Sequence, residues 1–151
     1  MQGYWNKPDA TAEALRGGWY HTGDLGSFDE VGRLFLVDRK KDMIISGGEN
    51  VYSTEVEEVL SSHPHVLECA VFGVPHDKWG ETVHAVVVPR AGGAVDAAAL
   101  VTWCRERLAG YKLPKAVDVR EEPLPRTAAG KILKRDLREP FWQGESRRIH
   151  G

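Results

Sequence analysis

Three things are scarce in this sequence: cysteine, net charge and long apolar runs. Its two cysteines, Cys69 and Cys104, both lie within apolar stretches, which predicts buried thiols in a reducing compartment rather than a disulfide framework. The formal charge is −2 with both signs spread along the chain, so nothing indicates the polyanion-binding surface that nucleic acid requires. No apolar run approaches the roughly 18 residues of a membrane span, and the N-terminus lacks the pattern of a signal peptide. We therefore expect a cytoplasmic protein without a transmembrane segment.

The sequence also lacks a recognisable metal-binding pattern. Six histidines are present, but the spacing of His63 and His65 around Pro64 matches no zinc template. We expect no resident metal ion, and we interpret His21 as a structural residue.

Residues 1–18 are polar and rich in turn residues, which is not how a domain usually begins. From Trp19 onwards, apolar and polar residues alternate around the turn DEVG. This pattern predicts a β-hairpin with arms at Leu25–Phe28 and Arg33–Val37. Because a lone hairpin is only marginally stable in water, it needs a sheet to join.

After Asp42 the pattern becomes that of a compact domain. Its predicted elements are, in chain order, a strand in DMIIS, a turn in GGEN, a helix opened by a capping box of Thr54 and Glu57 and ended by Pro64, strands in VLECAVFGV and TVHAVVVPR, a helix capped by Asp96 and closed by Gly110, a strand in AVDVR, and a short helix over 132–139 stopped by Pro140. Helices and strands are mixed rather than alternating, which predicts an α+β fold: a small three-stranded sheet with helices on one face, preceded by the hairpin. The boundary is predicted near residues 38–42.

The stretch RTAAGKILKR, residues 126–135, places a flexible glycine directly before a lysine. Gly130 would let the backbone approach a ligand closely, and Lys131 is a compact cation on a long stem, suited to a carboxylate or a phosphate. A Walker phosphate loop does not fit, since Pro125 stands where it needs glycine and Ile132 where it needs serine or threonine. The alternative is that Lys131 is an ordinary solvated surface charge.

The stretch GWYHTGDLG carries a carboxylate between two glycines. Asp24 lies between Gly23 and Gly26, just before a predicted strand, where it could accept hydrogen bonds from a pair of vicinal hydroxyls. The alternative is an aspartate that caps its own turn. Trp19, five residues earlier, is either a platform for a ligand or, as is more common, a core residue.

A charged segment, residues 39–42, is followed at once by SGGEN, residues 46–50. A pair of glycines flanked by Ser46 and Asn50 could leave backbone N–H groups free for a ligand. The alternatives are a solvated charged turn and a plain hairpin turn.

The order of these motifs carries more information than any one of them. GYWNKPDAT, GWYHTGD, DRKKDMIISGGENVY and LPRTAAGKILK together resemble the C-terminal part of the adenylate-forming superfamily, which includes acyl-CoA synthetases, firefly luciferase and the adenylation domains of peptide synthetases. The resemblance covers the whole chain, and SGGENVYSTEVE looks most like medium- and long-chain fatty-acyl-CoA ligases. It implies an enzyme that adenylates a carboxylic acid with ATP and then transfers the acyl group to coenzyme A, with release of AMP. Mg would be carried by ATP and not by this chain.

The resemblance implies roles in adenylation for four residues. Asp24 would bind the ribose hydroxyls of ATP and AMP, and Arg39 would contact the ribose or the phosphates. Lys131 matches the lysine that contacts the carboxylate and the α-phosphate, where negative charge builds as pyrophosphate departs. Trp19 matches a position on the nucleotide side.

The resemblance also implies roles in thioester formation, after the small C-terminal domain has rotated. Lys41 occupies the hinge position, where the backbone turns between the two half-reactions. The path of the pantetheine arm would be lined by residues of one turn, namely Gly47, Gly48 and Glu49, with Ser46 and Asn50 beside them. Trp79, in DKWGE, matches a position that can contact coenzyme A.

Two positions depart from the family pattern. Ile45 stands where luciferase-like and coumarate-ligase-like members carry a lysine that assists thioester chemistry, which puts a coumarate-type assignment in doubt. The closing motif often reads G-K-x-x-R, and here Lys134 takes the arginine place, with Arg135 next to it.

The resemblance finally implies that a large N-terminal domain is missing from this chain. That domain holds the family's phosphate loop, aromatic motif and acyl pocket, so residues 1–38 would be its tail and residues 39–151 the swinging C-terminal domain. The chain alone should then be inactive. Two alternatives stay open. One is a stand-alone, non-catalytic module that binds a nucleotide, coenzyme A or a partner, which the initial Met and the ending RRIHG favour. The other is an adenylation domain that loads a carrier protein.

Overall fold

The first of two units, Met1–Lys40, is built around the predicted hairpin. The computed structural model describes residues 1–144, so the ending RRIHG falls outside the described residues. Strand β1, Asp24–Phe28, pairs antiparallel with β2, Leu34–Arg39, which confirms the hairpin. The Asp29 carboxylate closes the turn by accepting hydrogen bonds from Arg33 N–H at 2.8 Å and Val31 N–H at 3.1 Å. These bonds, the one from Arg33 above all, lower the pKa of Asp29.

A short helix precedes the hairpin and was not predicted. Helix α1, Pro8–Ala14, has a proline in its first turn, where a missing N–H removes no helical hydrogen bond, and a 3-10 turn follows at Arg16–Gly18. Ala14 is its one buried residue. Seven residues with a single buried side chain are too few to show a helical period in the sequence.

The hairpin exposes apolar side chains on both faces. Phe28 and Leu36 are 73% and 69% exposed, and Phe35, which points to the opposite face from Leu36, is half exposed. Before the hairpin, Trp5 and Trp19 are 96% and 78% exposed. Neither face of the hairpin is therefore covered within the described part of the first unit.

The second unit begins at Lys41 and contains a five-stranded sheet. Its strands within residues 1–144 are β3 (Ile44–Ser46), β4 (Glu49–Val51), β5 (Val66–His76), β6 (Gly80–Pro89) and β7 (Ala116–Val119). β5 and β6 pair antiparallel over their whole length, and β7 runs parallel to β6. The β3–β4 hairpin joins the start of β6 through the pair Ser46 and Gly80, which gives the order β4-β3-β6-β5. The prediction of a three-stranded sheet is thus too small. The strand predicted in DMIIS joins the sheet as β3, and the end of GGEN, predicted as a turn, belongs to the three-residue strand β4.

Three α-helices accompany this sheet: α2 (Ser53–Ser61), α3 (Ala97–Arg105) and α4 (Lys134–Arg138). The predicted capping box is wrong, since α2 begins at Ser53 and Thr54 lies inside its first turn. The Glu57 carboxylate instead accepts a hydrogen bond from Val71 N–H at 2.7 Å, on strand β5. This contact satisfies a backbone donor of an edge strand, which a capping interaction could not do.

The other two helix predictions are confirmed in part. The Asp96 side chain accepts from Ala99 N–H at 2.9 Å, as predicted for the cap of α3. Helix α3 ends at Arg105 rather than at Gly110, which starts a separate 3-10 turn, Gly110–Lys112. Helix α4 is shorter than predicted, and Pro140 does not end the helical segment, because a 3-10 turn at Glu139–Trp142 continues it.

The sheet is covered on both faces, which corrects the prediction of helices on one face only. On one face, residues of β5 and β6 such as Val71 and Val87 pack with α2 and α3 through Leu60 and Leu100. On the other face, a second cluster contains Phe72 together with Ala70, Val86, Val88 and Leu124. The C-terminal segment, residues 124–144, supplies Leu124 and adds Ile132 and Leu137, which pack against the cluster.

The final 3-10 turn, Glu139–Trp142, packs against this second face of the sheet. The indole N–H of the buried Trp142 donates to the carbonyl of Gly73 at 3.1 Å. The Phe141 ring lies 6.0 Å from that of Phe72 and 4.6 Å from that of His84, measured between centroids. The C-terminal segment is therefore part of the core rather than an appendage.

Both cysteines are buried and unpaired with each other, and burial raises the pKa of each thiol to about 11. The prediction of buried thiols is confirmed. No helix within residues 1–144 combines the length and the apolar character that crossing a membrane requires.

A half-buried ion pair joins α4 to α2. The Lys134 ammonium lies 2.8 Å from Glu57 Oε1 and donates to Ser53 Oγ at 2.8 Å, and the Lys134 and Glu57 side chains are 17% and 20% exposed. Lys134, at the place where the family motif often has arginine, thus has a structural partner in this chain.

We predict that Lys134→Met lowers the free energy of unfolding of the second unit by about 2 kcal/mol, because it leaves a shielded carboxylate without its cation. The exchange of the slowest β5 and β6 amides with deuterium measures this change. Lys115→Met, at an exposed lysine, is the control and should change the free energy by less than about 0.5 kcal/mol. Equal exchange in both variants would show that the pair contributes no net stability.

Candidate functional site

Lys131 lies near the C-terminal end of a narrow loop that the bridge between Arg126 and Ile132 closes. Thr127 N–H donates to the Lys131 carbonyl at 2.8 Å, and Lys131 N–H donates to Thr127 Oγ1 at 3.1 Å. Gly130 has φ +79°, a conformation that favours glycine, and no atom lies within 4 Å of the place where a Cβ would stand. The loop therefore turns sharply and leaves open space at its tip.

The ammonium group of Lys131 lacks the carboxylate partner within residues 1–144 that some other lysines of this unit have. Within residues 1–144, no hydrogen bond or ion pair to this group is formed, and the residue is exposed. Lys112, by contrast, binds both carboxylate oxygens of Glu55 at 2.6 and 2.7 Å, and this hydrogen bonding raises the pKa of Lys112. Lys131 is thus a cation that remains available to an incoming anion.

Asp24 and Arg39 are brought together by the register of the hairpin. They are opposed residues at the open end of β1 and β2, and Arg39 Nε lies 3.6 Å from Asp24 Oδ1. Asp24 also lines an open cleft of about 600 Å³ in the first unit, with Tyr4, His21 and Lys40 among its walls. A half-exposed carboxylate beside a guanidinium offers an acceptor and a donor to one polar ligand.

The glycine turn, defined as residues Ser46–Asn50, connects β3 to β4. Ser46 pairs with Glu49, and Gly47 and Gly48 have φ of +63° and +89°. The glycine pair thus forms the hairpin turn that the sequence left as one alternative, and Glu49 and Asn50 belong to β4.

Trp79 packs directly behind the glycine turn. Gly47 N–H donates to the Trp79 carbonyl at 2.9 Å, and a Cβ on Gly47 would stand 2.8 Å from Cε3 of the indole. The Lys78 ammonium lies 4.7 Å from the centroid of the same ring. The structure therefore brings Trp79 and the glycine turn, assigned to one role by resemblance, into contact.

Two acidic residues inside apolar strands were missed by the sequence reasoning. Glu81 is buried on β6, and its Oε2 accepts a hydrogen bond from Ile45 N–H at 3.1 Å, next to the glycine turn. Glu68, on β5, accepts from Leu124 N–H at 2.8 Å. For Glu68 the available signal was a lone carboxylate in a run of apolar residues, which requires a specific partner when buried. Glu81 follows the polar stretch PHDKWG and gave no such signal.

Lys41 is the first residue of the second unit, and its carbonyl accepts a hydrogen bond from Arg138 Nη1 at 3.1 Å. Trp19, Asp24 and Arg39 belong to the first unit, whereas Lys41, the glycine turn, Trp79 and Lys131 belong to the second.

Within the second unit, Lys131 and the glycine turn lie at opposite edges of the sheet. The Lys131 loop is attached to the edge strand β5 at Glu68, and the glycine turn lies on the far side of β6, beside Gly80. Gly80 pairs with His76, which is roughly 26 Å from Glu68 along β5 at the usual rise per residue. One small ligand fixed on this unit cannot meet both groups. Within residues 1–144, no three histidine, cysteine or acidic side chains converge as a metal site would require.

Known proteins with similar sequences include acyl-CoA ligases. The chain is 54% identical to a feruloyl-CoA synthase of an Amycolatopsis species over 141 residues, which are 93% of this chain and 28% of the relative. It is 53% identical to a long-chain-fatty-acid–CoA ligase of Bacillus subtilis over 139 residues, 92% of this chain and 25% of the relative. The chain thus spans about a quarter of the length of these relatives.

Solved structures match over nearly the whole chain. ATP-bound MatB from Rhodopseudomonas palustris has a TM-score of 0.83 at 39% identity, covering 97% of this chain and 29% of that protein. The o-succinylbenzoate CoA synthetase MenE from Bacillus subtilis, in complex with its acyl-adenylate intermediate, has a TM-score of 0.83 at 42% identity, covering 98% and 29%. The amide bond synthetase McbA from Marinactinospora thermotolerans has a TM-score of 0.81 at 45% identity, covering 93% and 29%.

The fold and the ordered motifs define the C-terminal portion of an adenylate-forming enzyme, which confirms the resemblance drawn from the sequence. Residues 55–131, half of the chain, match the AMP-binding enzyme C-terminal domain family, and the chain belongs to that family.

We predict that Gly47→Ala weakens the β3–β4 hairpin by about 1 kcal/mol more than Gly48→Ala does. Both changes place alanine at a positive φ, but only the first brings a methyl group against the indole of Trp79. Deuterium exchange of the β3 and β4 amides measures the difference. In a Trp79→Ala background the two variants should become equal, and a difference that persists there would contradict this explanation.

Proposed function

We propose that this chain is the C-terminal part of an ATP-dependent acyl-CoA ligase, which adenylates a carboxylic acid and transfers the acyl group to coenzyme A. The observation that carries the proposal is Lys131, an exposed cation without a partner among residues 1–144, on a loop of fixed shape at the end of the segment that matches the family. ATP and an acyl-adenylate are present in the structures of MatB and MenE, which supports a nucleotide as the partner of this cation.

In the adenylation step, the Lys131 ammonium would bind the oxygens of the substrate carboxylate and of the α-phosphate. Negative charge on the α-phosphate oxygens rises as a carboxylate oxygen bonds to phosphorus and pyrophosphate leaves with the electron pair of the broken P–O bond, so the cation stabilises the transition state more than the bound substrates. Asp24 would accept hydrogen bonds from the ribose hydroxyls, and Arg39 beside it would donate to the ribose or the phosphates. Trp19 would lie on the nucleotide side. Mg would enter with ATP.

In the thioester step, a rotation at Lys41 would replace Lys131 by the glycine turn at the acyl-adenylate. The opposite placement of these two groups on the sheet supports such a rotation, since Lys131 must approach the α-phosphate in the first step and the glycine turn must approach the carbonyl carbon of the same acyl-adenylate in the second. Gly47, Gly48 and Glu49 would line the pantetheine path, with Ser46 and Asn50 beside them and Trp79 behind. Ile45 cannot supply the lysine chemistry of coumarate-type enzymes, so the thiol would react without it.

The nature of the acid and of the acceptor is a finer part of the proposal. The form SGGENVYSTEVE favours a fatty acid, whereas the relatives include a feruloyl-CoA synthase at similar identity. Transfer to coenzyme A needs a separate test, because the chain is also similar to McbA, which is an amide bond synthetase. Cytoplasmic location stays a prediction from the sequence.

Residues 1–38 are proposed to be the tail of the large domain, and residues 39–151 the swinging domain. The uncovered apolar faces of the hairpin support this assignment, because such faces require a partner surface. Arg39 is the last residue of β2, so it would contact the nucleotide from the hairpin, on the N-terminal side of the hinge at Lys41.

The first test of function is a chimera in which this chain replaces the matching segment of MenE from Bacillus subtilis. We predict ATP–pyrophosphate exchange with o-succinylbenzoate for the chimera and none for the 151-residue chain alone. Lys131→Ala should lower exchange about a hundredfold, because it removes a transition-state contact, and should lower thioester formation from supplied acyl-adenylate by less than about threefold. Lys115→Ala is the control.

Other outcomes of this test would redirect the proposal. Equal losses in both half-reactions would remove the role of Lys131, and absence of exchange in a folded chimera would contradict the function. Calorimetric binding of AMP or coenzyme A by the chain alone, without exchange in the chimera, would support the binding-module alternative. Transfer to a carrier protein but not to free coenzyme A would support the carrier-loading alternative.

The second test concerns the hairpin. We predict that the β1 and β2 amides exchange quickly in the 151-residue chain, and about tenfold or more slowly in the chimera, because the large domain would then cover the hairpin faces. Amides of α2 should be equally protected in both proteins. Protection of the hairpin equal to that of α2 in the chain alone would contradict the assignment.

A further inference from the structure

A side chain from within the loop holds the residue that precedes Lys131. The guanidinium of Arg126 donates through Nη1 to the carbonyl of Gly130 at 2.7 Å, and its Nη2 pairs with the carboxylate of Glu68 on β5. The second oxygen of the same carboxylate accepts from Leu124 N–H at 2.8 Å. The Glu68 carboxylate on the edge strand thus binds the loop at two places. It binds the start of the loop directly at Leu124 N–H, and it binds the loop near its tip through Arg126.

The backbone of the loop closes on itself but does not reach the sheet. Thr127 and Lys131 exchange hydrogen bonds, and Leu133 N–H donates to the Pro125 carbonyl at 2.7 Å. These bonds define the shape of the loop. Its place relative to the sheet is defined instead by the Glu68 contacts and by apolar packing on each side, with Leu124 buried and Ile132 against the same cluster.

We propose that Arg126, anchored by Glu68, is a positioning residue that aims Lys131 at the reacting phosphate. The inference rests on the proposed role of Lys131 in adenylation. Gly130 has no side chain to restrict it and no atom near its open side, so the orientation of the peptide unit between Gly130 and Lys131 depends on its hydrogen bonds. The Lys131 N–H of that unit donates to Thr127 Oγ1 inside the loop, and the Gly130 carbonyl accepts from Arg126, which is anchored on the sheet. Arg126 fixes the carbonyl of that unit, and the orientation of the unit sets the direction in which the lysine side chain leaves the backbone.

Geometry rather than stability is the expected contribution of this contact. The Arg126 side chain is 45% exposed, and a partly exposed ion pair contributes little to the free energy of unfolding. A displacement of about 1 Å at a catalytic group can lower a rate about a hundredfold. The planar fork of arginine suits the task, since one cation spans a carbonyl and a carboxylate at once.

The first experiment uses the 151-residue chain without any nucleotide. Arg126→Met should speed deuterium exchange at the amides of Thr127, Gly130 and Lys131 about tenfold, while β5 and β6 amides change less than about twofold. Arg105→Met, at an exposed arginine of α3, removes the same charge and should change neither set. Unchanged loop exchange in Arg126→Met would overturn the inference, whatever the function of the chain.

A conservative variant separates charge from geometry in the same experiment. Arg126→Lys keeps the positive charge but offers one compact ammonium in place of the planar fork. It should loosen the loop nearly as much as Arg126→Met, because an ammonium cannot hold both partners in the same way. Full protection of the loop in Arg126→Lys would overturn the proposed fork.

The second experiment measures adenylation in the MenE chimera. Arg126→Met should lower the rate constant for ATP–pyrophosphate exchange about tenfold or more, with little change in the KM for ATP and in thioester formation from supplied acyl-adenylate. In a Lys131→Ala background, Arg126→Met should have no further effect, because a positioning residue acts only through the residue that it positions.

The outcomes separate this inference from the proposed function. If Lys131→Ala leaves adenylation intact, the proposed function fails, and the exchange data still decide whether Arg126 holds the loop. If Lys131→Ala abolishes adenylation but Arg126→Met does not affect it, the positioning role is overturned. A raised KM for ATP with an unchanged rate constant, or an added loss in the Lys131→Ala background, would show that Arg126 contacts the nucleotide itself and would also overturn the role.

Discussion

The antiparallel pairing of β5 with β6 is the interaction on which the second unit depends. The strands pair from Val66 with Pro89 to His76 with Gly80, and β6 is buried from Glu81 to Val88. Because strand side chains alternate between the two faces, a pair buried along its length must be covered on both. Helices α2 and α3 supply one cover, and the C-terminal segment supplies the other. The Lys131 loop and the glycine turn are attached to opposite flanks of this same pair.

This arrangement relates the fold to the proposed two-step reaction. A rigid strand pair keeps the cation and the glycine turn at a fixed separation, so presenting one of them to a reacting centre withdraws the other. Rotation of the unit as a whole would then exchange the two groups without any rearrangement inside it. Glu68 and Glu81 have similar roles on the two sides of the strand pair, since each side-chain carboxylate accepts a backbone hydrogen bond next to a candidate functional segment.

Much of the fold was predictable from local pattern, and most of the contacts between segments were not. The long strands, the hairpin and the Asp96 cap follow from β-branched runs, turn residues and an N-terminal aspartate, and these were predicted correctly. The predicted capping box was wrong because the Glu57 carboxylate accepts a hydrogen bond from Val71 N–H on β5. This partner lies 14 residues away in the sequence, so the local pattern could not predict it. The motifs pointed to Lys131, Asp24 and the glycine turn, whereas Arg126 and Glu68 meet across 58 positions of sequence and leave no local signature.

The position of Trp142 and Phe141 has a consequence for biosynthesis. These residues close the face of the sheet that contains Phe72, and they are among the last of the described residues to leave the ribosome. During translation, β5 and β6 can pair and collect α2 and α3 while the opposite face still lacks its cover. The nascent chain therefore passes through a stage in which one face of the sheet is covered and the other, which contains Phe72, is exposed to water.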